Sequence, residues 1–176
     1  MGLTSRIVLD ANIYTMNNRA EAFWMKKGIL GDTVPLELNA KELVHRNNKN
    51  SELTVYGYTP MMVSVQCVQK TMDHCNHACV QYVLKDRYQK EFRGVCSCEF
   101  CYNTIYNALP TSLLKEKEKA EKLGVKAYRL SFTIETQQET EKIVRAFVDV
   151  YLRGQKPDGQ MQTEETTKGH FQRGVE

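Results

Sequence analysis

The sequence predicts an α/β fold, a parallel sheet with helices packed outside it, interrupted by a cysteine-rich hairpin. Short apolar runs alternate with amphipathic stretches on both sides of the chain's middle, and strand followed by helix, repeated, argues for parallel pairing. All six cysteines fall between Cys67 and Cys101, where that alternation stops. About four strand–helix units can be counted, short of the roughly 250 residues that a complete eightfold barrel takes. An open sheet and part of a barrel cut from a longer parent both remain.

In chain order, Arg6-Ile7-Val8-Leu9 is an apolar run that suits a buried strand. Asn18 with Glu21 three residues on makes a capping box. The helix it opens passes through Ala20, Phe23, Trp24 and Lys27 to a stop at Gly28. Residues 33–38 form the next strand, and Asn39 with Glu42 repeats the capping pattern to start a second, shorter helix. Residues 53–57 are a third strand. Beyond the cysteines, Pro110-Thr111-Ser112 opens a helix through Leu113, Leu114, Ala120 and Leu123 to Gly124, followed by a strand over 126–132. Thr136 and Glu139 then cap a long helix whose apolar face is Ile143, Ala146, Phe147, Val150 and Tyr151, with Gly154 ending it. The tail, 155–176, is polar up to Gly169-His170-Phe171. The chain thus divides into strand–helix units over 1–66, a metal-binding insertion over 67–107, and final units with a tail over 108–176.

Composition narrows the function classes. With 41% hydrophobic and 26% charged residues the chain suits one globular domain with a real core. No apolar run approaches the roughly 18 residues of a membrane helix. Met1-Gly2-Leu3-Thr4-Ser5 has no apolar signal region, which predicts a cytoplasmic protein. Gly2 does not complete a myristoylation signal, because Arg6 stands where Ser or Thr is wanted. A formal charge of +3 is too small to announce nucleic-acid binding, and Lys115-Glu116-Lys117-Glu118-Lys119 reads as a solvated helix face.

Six cysteines without an export signal argue against a disulfide framework and for metal. Between them, residues 82–93 read as a hairpin turning near Tyr88 and Gln89, with Asp86 and Arg87 orienting it. Such a hairpin buries little apolar surface, and ligation free energy would become its folding free energy. Cys98-x-x-Cys101 supplies two ligands from one turn. The second pair comes from Cys67 and Cys75, or from Cys75 and Cys79. Four thiolates hold zinc or an iron–sulfur cluster equally well by spacing alone. His74 and His77 read as loop residues within the same segment.

Neither Gly-x-Ser-x-Gly nor His-Glu-x-x-His occurs. Polar groups at strand ends are the better substrate contacts, because α/β folds bind ligands there. These are Glu37, Asn39, Tyr56, Tyr58 and Arg129, although Asn39 is also explained as a helix cap and the tyrosines as core. His170 lies near a motif that would face a pocket, and Arg173 suits an acidic substrate or phosphate.

Several motifs together resemble peptidase family U-thirty-two, the collagenase-like proteases. They are Pro35-Leu36-Glu37-Leu38-Asn39, then Val55-Tyr56-Gly57-Tyr58-Thr59-Pro60-Met61-Met62 followed by Cys67, and Leu84-Lys85-Asp86-Arg87. Cys98-Glu99-Phe100-Cys101-Tyr102-Asn103-Thr104-Ile105-Tyr106-Asn107 and Gly169-His170-Phe171-Gln172-Arg173-Gly174-Val175 complete the series. The resemblance implies a partial (β/α) barrel of TIM type with an inserted cysteine-rich hairpin, the barrel's N-terminal half being a missing partner. It implies a four-iron four-sulfur cluster on Cys67, Cys75, Cys98 and Cys101, with zinc as the alternative. Cys79 and Cys96 are additional, and Cys96 could stand in for Cys98. It implies oxygen-independent hydroxylation, with RNA the first substrate class and a small molecule the second. Peptidase activity and a zinc-stabilised module without catalysis are the competing functions. Open sheet edges further predict a homodimer.

Overall fold

A computed structural model describes residues 6–72, 75–157 and 165–174. Its strands are β1 (Val8–Leu9), β2 (Gly31–Thr33), β3 (Ser51–Gly57), β4 (Pro60–Ser64), β5 (Gln81–Lys85), β6 (Glu91–Ser97), β7 (Tyr102–Tyr106), β8 (Thr111–Ser112) and β9 (Ala127–Ser131). The α-helices are α1 (Asn18–Lys26), α2 (Ala40–Val44), α3 (Val68–Thr71), α4 (Lys117–Lys122), α5 (Gln137–Phe147) and α6 (His170–Arg173).

These strands form two sheets, and the expected partial TIM-type barrel is not what the chain builds. In the first sheet β1, β2, β3 and β9 run parallel, with β2 and β9 on opposite sides of β3. β8 joins the far end of β3 antiparallel, Tyr56 facing Ser112. The second sheet is wholly antiparallel, in the order β4-β7-β6-β5. The alternation of strands and helices did signal parallel pairing, but it yields only four parallel strands. The middle of the chain makes an independent sheet around the expected hairpin. The strands do not close into a barrel.

Local differences have local causes. The cap of α1 is Asn17, whose side chain accepts from Arg19 N and Ala20 N at 3.0 and 3.1 Å. Asn18 is already helical and ties α1 to residues 45 and 47 instead. Glu21 is buried and accepts from Asn47 rather than closing a capping box. The second strand ends at Thr33, because the two residues that pair with β3 are Asp32 and Thr33. The Asn39–Glu42 box is present as expected, with Glu42 returning to Asn39 N at 2.8 Å. Pro110-Thr111-Ser112 leads into β8 and a 3-10 turn (Leu114–Glu116), so the helix begins only at Lys117.

The apolar core lies between the first sheet and its helices. Val34, Leu53, Val55 and Tyr56 meet Leu43, Leu114, Ala120, Leu123, Ala146, Phe147 and Val150 there, with Phe171 joining from α6. Each large side chain so buried contributes on the order of 1.5–3 kcal/mol. On the same side, Asp32 and Arg46 form an ion pair with side chains 1% and 2% exposed. Thr15 and Ser51 donate to Asp32. Arg46 also reaches Thr15 O at 2.8 Å, Asn48 Oδ1 at 2.9 Å and Ser51 Oγ at 2.9 Å. A buried charge persists when it is paired and its remaining hydrogen bonds are met.

Candidate metal centre and strand-end pocket

The second sheet gathers the thiols at one end. β4 leads to Cys67, which caps α3 and is nearly buried, with Thr71 Oγ1 donating back to its carbonyl at 2.9 Å. β6 carries Cys96, fully buried, whose thiol donates to Asn103 Oδ1 at 2.9 Å. Asn103 in turn donates to Gln66 O at 2.7 Å, holding the approach to Cys67 against β7. Between β6 and β7 the chain reverses in a tight turn, Phe100 N donating to Ser97 O at 3.1 Å. That turn presents Cys98 and Cys101, and Cys101 holds a left-handed φ of 54°. His77, between Cys75 and Cys79, is likewise left-handed at 56°. Non-glycine residues seldom adopt this region outside turns and functional sites.

Cys98 is half-buried against the loop that carries Cys79. Its Sγ donates to Ala78 O at 2.7 Å. Burial and then the charges of Cys79, Cys67, Cys75 and Cys101 push its thiol up. Burial, followed by the charge and hydrogen bond of Cys67, pushes Cys96 up as well. No group of three or more His, Cys, Asp or Glu among the described residues stands arranged to hold a metal ion; His74 lies outside those residues. The donor set nevertheless fits a soft metal, because uniform thiolate ligation is what zinc and iron–sulfur centres take. Cys75, Cys79 and Cys101 are exposed. Cys96 is committed to Asn103 inside the sheet, which argues against its replacing Cys98.

A pocket of about 340 Å³ opens at the carboxyl ends of the parallel strands, where α/β sheets bind ligands. Residues just past β1 (Asp10, Asn12), β2 (Pro35), β3 (Tyr58, Thr59) and β9 (Thr133) line it, with Tyr106 from β7 and Lys168 to Phe171. Arg129 lies in it, held by Glu52 at 2.9 Å, Thr33 at 3.0 Å and Asp10 at 3.2 Å. His170 also lines it, with Nδ1 2.9 Å from Gly174 O. When Nδ1 carries the proton that Gly174 O accepts, Nε2 is left as the acceptor. Burial, then the charges of Tyr102 and Glu135, raise the Tyr106 phenol against a hydrogen bond from Thr133 that lowers it.

The other sequence candidates lie elsewhere. Glu37 is half-buried in the turn after β2, and Asn39 is occupied as the α2 cap. Tyr56 is core, its ring 5.6 Å from Phe132 and 6.1 Å from Phe147. Arg173 is exposed at the end of α6 and does not line the pocket. Lys168, Tyr106 and Thr133 were not legible as site residues; Lys168 directly precedes the Gly169-His170-Phe171 motif, the one local signal for it.

The two sites lie at opposite ends of β4. Pro60 lines the pocket, and Ser64 stands four residues on at about 3.3 Å each, roughly 13 Å toward the thiols. The fold and these sites define a two-sheet α/β protein with a thiol-rich antiparallel sheet and a strand-end pocket. No family model, curated protein or solved structure matches the chain. No helix among the described residues is long and apolar enough to cross a membrane.

Proposed function

We propose that the chain is a thiolate metalloprotein holding an iron–sulfur cluster, acting in oxygen-independent hydroxylation with RNA as the first substrate class. The observation that carries the metal is the contact of Cys98, from the turn it shares with Cys101, with Ala78 O on the loop between Cys75 and β5. The motifs shared with peptidase family U-thirty-two support the cluster and the ligand set Cys67, Cys75, Cys98 and Cys101, and the hydroxylation and its substrate class rest on that resemblance. A bound cluster supplies electron transfer. The chain's part is to hold the ligands: the turn over 97–101 fixes two and the α3 cap a third. A reducing cytoplasm keeps such thiols available.

The pocket offers the substrate groups of both signs, Arg129 and Lys168 against Asp10, and an acceptor at His170. Zinc is the second reading, favoured by the exposure of Met61, Met62, Val63 and Val83 on the second sheet. A sheet that buries so little gains stability from a structural ion. The uncharged edge of β4 also favours pairing two copies antiparallel, and a clean monomer by light scattering would remove that partner.

The deciding experiment is iron, sulfide and zinc content, with an absorption spectrum, on protein purified without oxygen. Iron and sulfide in near-equal amounts support the cluster. Zinc alone supports the structural reading, and absence of metal refutes both. Cys101→Ser should lose the metal; full retention would break the ligand assignment.

A further inference from the structure

The hairpin that joins β5 to β6 is built around Asp86, and its basic neighbours are left unpaired. Asp86 Oδ1 accepts from Tyr88 N at 2.8 Å and from Lys90 N at 2.9 Å. Asp86 N donates to Lys90 O at 3.1 Å to close the loop, and Gln89 takes a left-handed φ of 63°. An aspartate that accepts from the backbone two residues on fixes such a turn, so this carboxylate serves the main chain. Arg87 stacks on Tyr88 instead, its guanidinium carbon 4.7 Å from the ring centroid. That ring is still 71% exposed. Lys85 is taken by Glu91 at 2.9 Å, whereas neither Arg87 nor Lys90 pairs with a carboxylate among the described residues.

The hairpin tip lies at the pocket end of the second sheet. β6 and β7 pair with Gly94 facing Ile105, and one further step of that register sets Arg93 across from Tyr106, which lines the pocket. Lys90 stands three residues before Arg93, roughly 10 Å along the chain. The turn that carries Cys98 and Cys101 follows the other end of β6. An exposed ring flanked by unpaired cations suits single-stranded nucleic acid: bases stack on the ring while the cations meet phosphates. A double helix keeps its bases stacked inside and offers the ring no free face.

We propose that this hairpin tip holds a single-stranded stretch of RNA beside the pocket, with Tyr88 stacking on a base and Arg87 and Lys90 neutralising phosphates. The inference rests on the RNA reading above and gives that substrate a place on the surface. Asp86 positions the three side chains by fixing the turn that carries them.

The test is fluorescence anisotropy of an end-labelled single-stranded RNA of about 12 nucleotides, within the site sizes such surfaces take. It is titrated with the full chain, kept reduced and free of oxygen. Tyr88→Ala should weaken binding by about 5-fold or more, while Tyr88→Phe, which keeps the ring, should stay within about twofold of wild type. Arg87→Ala and Lys90→Ala should each flatten the dependence of log affinity on log salt by about 0.7, the single-strand value per phosphate. All three side chains are exposed on the turn, so urea midpoints should match wild type, which separates a lost contact from a lost fold. A duplex RNA bound as tightly as the single strand overturns the stacking role of Tyr88. An RNA affinity that Tyr88→Ala and Lys90→Ala leave unchanged overturns the assignment to the hairpin while the RNA reading stands. A wild-type protein that binds no RNA at low salt refutes the RNA reading itself.

Discussion

Asp32→Ala tests whether the buried ion pair holds β2 in place. Asp32 is 1% exposed and accepts from Arg46, Thr15 and Ser51. Without it, the Arg46 guanidinium keeps only neutral acceptors, Thr15 O and Oγ1, Asn47 O, Asn48 Oδ1 and Ser51 Oγ. Removing one partner of a buried pair costs about 3–5 kcal/mol, because the other charge stays in low dielectric. Total stability for a domain is about 5–15 kcal/mol, so the variant should be badly weakened. At about 2–4 °C per kcal/mol for a chain of this size, Tm should fall by roughly 6–20 °C. Urea titration followed by the fluorescence of Trp24, the single tryptophan, gives the free-energy difference directly. The control is Asp32→Ala with Arg46→Met, since replacing both charges by apolar groups is often neutral. A loss below about 1 kcal/mol in the single variant, or a double variant no better than the single, would show that the pair does not anchor the strand.

Gly94→Ala should loosen the β5–β6 pairing, because a Cβ there would come within 2.2 Å of the Tyr82 ring across the ladder. The overpacking should cost about 1–3 kcal/mol and speed amide exchange in β5 and β6; unchanged protection would count against it. Thr136→Ala removes one half of the capping box with Glu139 and should cost about 1 kcal/mol in urea, with no effect on metal content. Glu116 gives a pH dependence. Burial raises its carboxyl, but hydrogen bonds and charges from Lys119 and Lys168 outweigh that and leave it below the ordinary range. A depressed folded value stabilises the protein above the unfolded value of about 4.3, and that stabilisation is lost as pH falls through the folded value. Lys168 should therefore release from Glu116 in acid, and exchange across 165–174 should rise there. Glu116→Gln should abolish the change, and an identical acid response in that variant would refute the link.

Legibility followed locality. β3 could be read from its β-branched and aromatic run, and α5 from a capping box and an apolar face that are both continuous in sequence. Neighbouring Asn17 and Asn18 offered two caps, and the choice fell to Asn17 through contacts with residues 45–47 that no local pattern shows. β4 was hidden because Met61, Met62 and Val63 are all exposed, leaving no alternation to mark a half-buried strand. β8 was hidden because Pro-Thr-Ser is also a good helix start. The barrel failed for a deeper reason: alternation specifies parallel pairing between neighbours, whereas closure depends on strands far apart in the chain. The cysteines could be read as a candidate site because they cluster in sequence. The pocket was only half legible, since Arg129 sits in a readable strand and His170 in a motif while Tyr106 and Thr133 arrive there through the pairing of strand ends.

The separation of the two sites along β4 constrains what each can do. With roughly 13 Å of strand between them, a small ligand seated against Arg129 and His170 does not touch an ion on Cys98. A metal centre in this chain therefore acts on the pocket through the sheet or acts on something else that reaches the thiol end. That end is open, with Phe100 69% and Met72 61% exposed near the cysteines in sequence. The pocket's walls come mainly from the first sheet and its core, with Pro60, Met61 and Tyr106 of the second sheet joining them at the end away from the thiols. Loss of metal in Cys101→Ser should accordingly loosen the second sheet while exchange protection of β1, β2, β3 and β9 stays as in wild type. Equal loss of protection in both sheets would show instead that the ion stabilises the whole fold, and that the pocket depends on it.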